Sequence, residues 1–187
     1  MSSIIGVGLT AGQGVRLQPL TLTADGSLRS KAAVRFLGEP IITWLLRSLR
    51  DQGIREYVMI TRGKANRGQV QRAVHYGESL GVQVRYAPVA LEADDTGSAG
   101  AVLEHLRDVQ PAHEALFVFP NDSLLDFSLA EMLETHRRTG AAVTVATAAY
   151  PAEVIAGTYG WLETDSGGRV RHFVEKPSLE AICARWQ

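Results

Sequence analysis

Short apolar runs alternate with amphipathic stretches along most of this chain, and that alternation constrains the fold more than any other feature. Ile4–Leu9, Tyr57–Thr61, Val82–Ala87, Ala115–Phe119 and Ala142–Ala148 read as strands, bounded by Gly, Pro, Asn or other polar residues. Between them, Ile41, Ile42, Leu45, Leu46 and Leu49 recur at helical spacing, which predicts a helix from Pro40 to about Gln52. Further helices are expected over Gln69 to about Ser79, with Gly81 as the stop, and over Ser98–Leu106. Another runs from Leu129 to about Arg138, with Ser128 as N-cap and Glu131 at the capping-box position. Gly160–Glu163 and Val170–Val174 read as shorter β segments around a Gly167-Gly168 turn, and Pro177-Ser178 starts a last helix. Strand–helix alternation with short apolar strands predicts an α/β/α arrangement, a mostly parallel sheet with helices on both faces.

Composition supports one ordered domain over 1–187. With 187 residues, 45% hydrophobic and 21% charged, the chain has enough apolar surface for a core and is not of disordered composition. Nineteen Lys+Arg balance twenty Asp+Glu, for a net charge of −1. A protein that grips nucleic acid through phosphates is expected to be basic or to carry a basic stripe, so no nucleic-acid partner is expected. Cys183 is the single cysteine, so no intramolecular disulfide forms, which fits a cytoplasmic location. No apolar run approaches the ~20 residues of a membrane span, and the N-terminus lacks the basic segment of a signal peptide. No membrane partner is expected.

In parallel sheets ligands bind beyond the carboxyl ends of the strands, which directs attention to the loops after Leu9, Ala87 and Phe119. The first reads Thr10-Ala11-Gly12-Gln13-Gly14-Val15-Arg16. Gly12 and Gly14 allow close backbone approach and can aim N–H groups at an anion, and Arg16 offers a guanidinium fork for phosphate. The spacing matches neither the dinucleotide fingerprint nor the P-loop. Taken by itself it suits an ordinary strand-to-helix turn with a surface arginine equally well. Asp122, after Pro120-Asn121, stands where a Mg²⁺ ligand would, although read by itself it suits an Asx-turn acid better.

The order of motifs resembles the sugar-phosphate nucleotidyltransferases. Ala11 to Thr21, then Lys31, then Gly38-Glu39-Pro40-Ile41 resemble the signature A-G-x-G-T-R-L-x-P-L-T, lysine, G-x-P-I. Asp95-Thr96-Gly97-Ser98-Ala99-Gly100-Ala101 resembles G-T-A-G-A, and Asn121-Asp122 resembles the G-D motif. His136 with Gly140-Ala141-Ala142-Val143-Thr144-Val145 resembles H-x-x-x-G-A-x-x-T-V. Tyr159-Gly160 through Val170, Phe173, Glu175, Lys176 and Pro177 resembles Y-G … V … F-x-E-K-P.

The resemblance implies a Rossmann-like fold of the nucleotide-diphospho-sugar transferase type, with NTP and sugar 1-phosphate as partners and Mg²⁺ as cofactor. It implies transfer of a nucleoside monophosphate to the sugar phosphate, with release of pyrophosphate. Arg16 and Lys31 would be catalytic. Ala11, Gly12, Gly14 and Gly97 would bind nucleotide, Gly160, Glu175 and Lys176 the sugar phosphate, and Asp122 the metal. Read without the family, Gly97 is a plain turn glycine and Glu175-Lys176 an exposed pair. A homo-oligomer is compatible with the family, and neither the base nor the sugar is specified. The chain departs from the signature at Val15, Ala32, Ser98 and Asn121, where the family has threonine, proline, threonine and glycine. It also lacks the segment that holds a second metal-binding aspartate, so it reads as an N-terminal portion or a shortened relative. A non-catalytic domain that binds nucleotide or sugar phosphate is the alternative.

Overall fold

The computed structural model describes residues 4–12, 17–22, 26, 29–89, 100, 102 and 113–185. Gly14, Arg16, Gly97 and most of the expected Ser98–Leu106 helix lie outside the described residues. The chain divides into two compact units, Met1–Glu134 and Thr135–Gln187.

In the first unit, the described residues form a four-stranded sheet of β1 (Ile4–Leu9), β4 (Glu56–Arg62), β5 (Gln83–Val89) and β6 (Ala115–Pro120). The order is β5-β4-β1-β6, and every pairing is parallel. Strand side chains alternate between faces. Tyr57, Met59, Val84, Phe117 and Phe119 pack in one cluster with α1 (Ile41–Asp51) and α2 (Gly63–Val74), through Ile42, Leu45, Leu46, Leu49, Val70 and Val74. On the other face Val7 and Ile60 pack with Val102, which has helical backbone. Both faces are therefore covered, as the apolar strands require.

β1 is central, and on the α1–α2 face it carries Gly6 and Gly8. A Cβ on Gly6 would lie 2.5 Å from a Tyr57 ring carbon, and one on Gly8 2.5 Å from the Met59 sulfur and 3.1 Å from Phe119. The aromatic residues of β4 and β6 thus fill the space that β1 leaves vacant, with Tyr57 and Phe119 edge to face at 6.1 Å.

Before α1, β2 (Arg35–Phe36) and β3 (Glu39–Pro40) form a short hairpin. Its turn, Leu37-Gly38, has positive φ at both residues (50° and 86°), the backbone a two-residue hairpin favours. The Gly38–Ile42 motif therefore has a local structural task. It turns the hairpin, and Pro40 then leads into α1, whose first N–H, on Ile41, donates to the Val34 carbonyl at 2.9 Å.

Two expectations are corrected. The helix expected over Gln69–Ser79 runs instead from Gly63 to Val74. Its first turns, Gly63-Lys64-Ala65-Asn66-Arg67-Gly68, carry too few apolar residues to show a period, and it ends where His75 adopts a positive φ of 49°. The strand expected over Ala142–Ala148 does not form, since 143–150 pairs with no strand among the described residues. Val143 and Val145 remain exposed, so the apolar alternation finds neither a ladder nor a core there.

The second unit contains α4 (Ala152–Ile155), the antiparallel pair β7 (Gly160–Thr164) and β8 (Val170–Glu175), and α5 (Leu179–Cys183). Ser178 caps α5 by accepting from the Ala181 N–H at 3.1 Å. In sequence, α3 (Leu129–Thr139) lies between β6 and α4, and Ser128 Oγ accepts from the Glu131 N–H at 3.3 Å, the cap expected from sequence. No helix among the described residues is long and apolar enough to cross a membrane.

Overpacking at the β1 glycines has a measurable cost. Gly6→Ala should lower stability by about 1–3 kcal/mol in urea unfolding, because a buried aromatic ring must move. Gly8→Ala should cost less, because the Met59 thioether is adaptable. Wild-type stability in Gly6→Ala would contradict this packing.

Candidate active site

The register places Leu9 beside Ile60 on one side and beside Pro120 on the other. Three neighbouring strands thus end together at the edge where parallel sheets bind ligands. Thr10, the first residue beyond β1, is fully buried. Its N–H and its hydroxyl both donate to the Ile60 carbonyl, at 3.0 and 2.6 Å. The Asn66 carboxamide of α2 accepts from the Arg62 N–H and donates to the Thr10 carbonyl, both at 3.0 Å. One side chain therefore joins the ends of β1 and β4 and fixes where the Gly-rich loop departs. Ala11 is half-buried and Gly12 exposed, and a Cβ on Gly12 would meet nothing within 4 Å. The absent side chain at Gly12 thus serves no internal packing.

Lys31 reaches the same edge from a different part of the chain. It opens a 3₁₀ turn, Lys31–Ala33, anchored by the fully buried Ala32 and by the Ser30 N–H donating to Gln69 Oε1 at 2.5 Å. Asp122 is the second residue beyond β6. Lys31 Nζ donates to Asp122 Oδ2 at 2.8 Å across 91 residues of sequence. The two side chains are 17% and 30% exposed, so the pair is shielded yet reachable from solvent. It is also exchangeable: an anion that takes Lys31, or a cation that takes Asp122, replaces the partner it displaces. Among the described residues no group of three or more His, Cys, Asp or Glu side chains could hold a metal ion. Asp122 therefore offers a carboxylate without a preformed cage around it.

In the second unit, Gly160 pairs with Glu175, and a Cβ on Gly160 would lie 2.9 Å from the Phe173 ring. That ring belongs to the exposed Phe173, so a side chain at Gly160 would displace it toward solvent. Lys176 adopts a positive φ of 48°, donates its N–H to the Tyr159 carbonyl at 3.1 Å, and pairs with Glu175 at 3.0 Å on an exposed surface. The β7–β8 turn is closed by Asp165, whose carboxylate accepts from the Arg169 and Gly167 N–H groups and from Arg171 Nε. The Arg169 N–H, with the Gly167 N–H and the Arg171 guanidinium, holds the Asp165 carboxyl below the usual carboxylate range. His136 shares a hydrogen bond with Thr144 Oγ1 through Nδ1 at 2.9 Å, which joins two residues of the same sequence motif.

The structure thus brings Lys31, Asp122, Ala11 and Gly12 to the described part of one unit, and Gly160, Glu175 and Lys176 to the other. Sequence reading missed Asn66, Gln69 and Thr10. Asn66 stood ahead of the misplaced start of α2, and no local motif marks a carboxamide that acts across 56 residues.

The family model for nucleotidyl transferase matches residues 5–184. The chain belongs to the nucleotidyl transferase family. A Synechocystis UTP–glucose-1-phosphate uridylyltransferase is 30% identical over 179 residues, covering 92% of this chain and 44% of that relative. A glucose-1-phosphate adenylyltransferase of Alteromonas mediterranea is 30% identical, covering 91% and 40%. The mannose-1-phosphate guanylyltransferase catalytic subunit beta of Drosophila pseudoobscura is 28% identical, covering 90% and 42%. This family member therefore spans about two-fifths of the length of the curated relatives it matches. A crystal structure of UDP-glucose pyrophosphorylase complexed with UDP-glucose superposes with a TM-score of 0.66 at 17% identity, covering 96% of this chain and 71% of the other. The fold is thus the Rossmann-like one of the nucleotide-diphospho-sugar transferases.

Two measurements test this geometry. A double-mutant cycle with Lys31→Met and Asp122→Asn should give a coupling of about 1 kcal/mol in urea unfolding, and independent effects would show that the contact contributes nothing. For Asp165, a folded-state pKa below the unfolded value means stability that is present above the unfolded pKa and lost as pH falls through the folded one. Amide protection factors in the β7–β8 turn, corrected for the intrinsic exchange rate at each pH, should therefore fall on acidification below about pH 4, and Asp165→Asn should remove that dependence. An unchanged profile in Asp165→Asn would assign the effect to other groups.

Proposed function

We propose that this chain carries the nucleotide-binding part of a sugar-1-phosphate nucleotidyltransferase. An oxygen of the sugar 1-phosphate attacks the α-phosphorus of an NTP. A new phosphoanhydride bond forms, the bond between the α- and β-phosphates breaks, and pyrophosphate leaves, giving an NDP-sugar. The observation that carries the reading is the Lys31–Asp122 pair at the carboxyl edge of the sheet. Family membership and the printed activities of the three relatives, which differ in base and sugar, support the class of reaction and leave both unassigned.

Bringing several anionic phosphates together demands charge neutralisation and alignment. Lys31 supplies a cation that is held in place by Asp122 until a phosphate displaces it. The backbone at Ala11, Gly12 and Gly14 approaches the nucleotide phosphates, Gly97 lies against the base, and Arg16 stabilises the departing pyrophosphate. Gly160, Glu175 and Lys176 take the sugar phosphate, with Glu175 accepting from sugar hydroxyls and Lys176 countering the charge. Asp122 fits Mg²⁺ in the mode in which one carboxylate and substrate phosphates complete the coordination. When bound, the ion supplies further neutralisation of phosphate charge. The protein's partners are nucleotides and sugar phosphates, and its proposed location is the cytoplasm, where both substrates are made.

The lone carboxylate of Asp122 among the described candidates favours a second reading, a domain that binds nucleotide without turnover. Pyrophosphate release with a panel of NTPs and sugar 1-phosphates separates the two. Turnover is expected with at least one pair. Lys31→Ala and Arg16→Ala should each lower kcat/KM by about 100-fold, roughly 2.7 kcal/mol, and Asp122→Asn should raise the Mg²⁺ requirement about tenfold. Nucleotide binding without turnover by any pair would leave the second reading standing, and full activity in both cation variants would reject the phosphate site.

A further inference from the structure

Buried polar atoms are nearly always paired, and each exception needs a cause. Among the described residues, three buried side-chain atoms have no hydrogen-bond partner: Ser30 Oγ, Thr43 Oγ1 and Asn121 Nδ2. Two of the three stand one residue before the members of the Lys31–Asp122 pair. Ser30 and Asn121 are each only 4% exposed. A serine hydroxyl can rotate toward several acceptors, whereas a carboxamide has two fixed N–H donors. The unpaired Asn121 amide is therefore the more informative of the two.

Its place in the fold narrows what could pair with it. β6 ends at Pro120, beside Leu9 in the register, so Asn121 and Thr10 are the first residues of neighbouring loops at the ligand-binding edge. Thr10 is fully satisfied by the Ile60 carbonyl and Asn66. Asn121 is not, although the next residue carries the carboxylate that holds Lys31. A buried donor beside a displaceable cation calls for a ligand rich in acceptors, and phosphate oxygens supply them. Asn121 stands where the signature this chain resembles has glycine.

We propose that Asn121 is a further ligand-binding residue, donating from Nδ2 to a phosphate oxygen of the nucleotide held at Lys31. The proposal rests on the nucleotide-binding reading above. Leaving the amide unpaired costs the free protein stability, which ligand binding returns. A structural asparagine would do the opposite, since its removal would break hydrogen bonds that the fold uses.

The test measures nucleotide affinity and free-protein stability together, by titration calorimetry with Mg²⁺ and an NTP or inorganic tripolyphosphate and by thermal unfolding. Asn121→Ala should weaken binding of both probes about tenfold while leaving the ligand-free Tm unchanged or raised. Asn121→Asp, equal in shape but unable to donate when ionised, should weaken both at least as much. Wild-type affinity in Asn121→Ala would overturn the proposal and leave the nucleotide-binding reading intact. A lowered Tm with unchanged affinity would reassign Asn121 to the fold or to a resident water. Loss of NTP affinity with tripolyphosphate unaffected would overturn the phosphate assignment. If the wild-type chain bound neither probe, the nucleotide-binding reading would fall and this proposal with it.

Discussion

Everything at the candidate site depends on how tightly β1 is enclosed. It runs between β4 and β6 and has no side chain at Gly6 or Gly8 on the face where Tyr57, Met59 and Phe119 press against it. On its other face Ile5 and Val7 are buried. A strand packed this closely cannot slip register without driving side chains into one another. The ends of three strands are thereby fixed together, and Thr10 and Asn121 emerge side by side. The hydrogen bonds of Thr10 and Asn66 then tie the start of the Gly-rich loop to the end of β4.

On that frame, charge is placed sparingly. The chain carries a net charge of −1. It sets a lysine against an aspartate, half-shielded, beside a buried amide that has no partner. Such an arrangement is incompletely satisfied without ligand, which is how binding sites trade stability for function. Of the three buried unpaired side-chain atoms among the described residues, two stand beside that pair and the third, Thr43 Oγ1, lies on α1.

The legible parts of the fold were those with strong local patterns. β1, α1, β4 and β6 lie within a residue or so of where their apolar periods place them, and Ser128 caps α3 as its motif requires. α2 was misplaced because its opening turns are polar and glycine-containing, so no apolar period marks them. Ala142–Ala148 has the alternation of a strand, but a strand exists only with a partner, and partners are not written in the local sequence. For the site, Lys31 and Asp122 were nominated by resemblance, and their contact at 2.8 Å is a property of the tertiary fold. The carboxamide of Asn66 left no mark in the sequence. Asn121 was visible as a departure from the family motif, but its burial and missing partner were not.

The central claim is that the Lys31–Asp122 pair is a phosphate site in its ligand-free state. The most direct measurement is a crystal structure of this chain with Mg²⁺ and a non-hydrolysable NTP analogue. The account predicts a phosphate oxygen at about 3 Å from Lys31 Nζ, with the direct contact between Lys31 and Asp122 broken. A nucleotide bound elsewhere on the chain, with that ion pair intact, would contradict it.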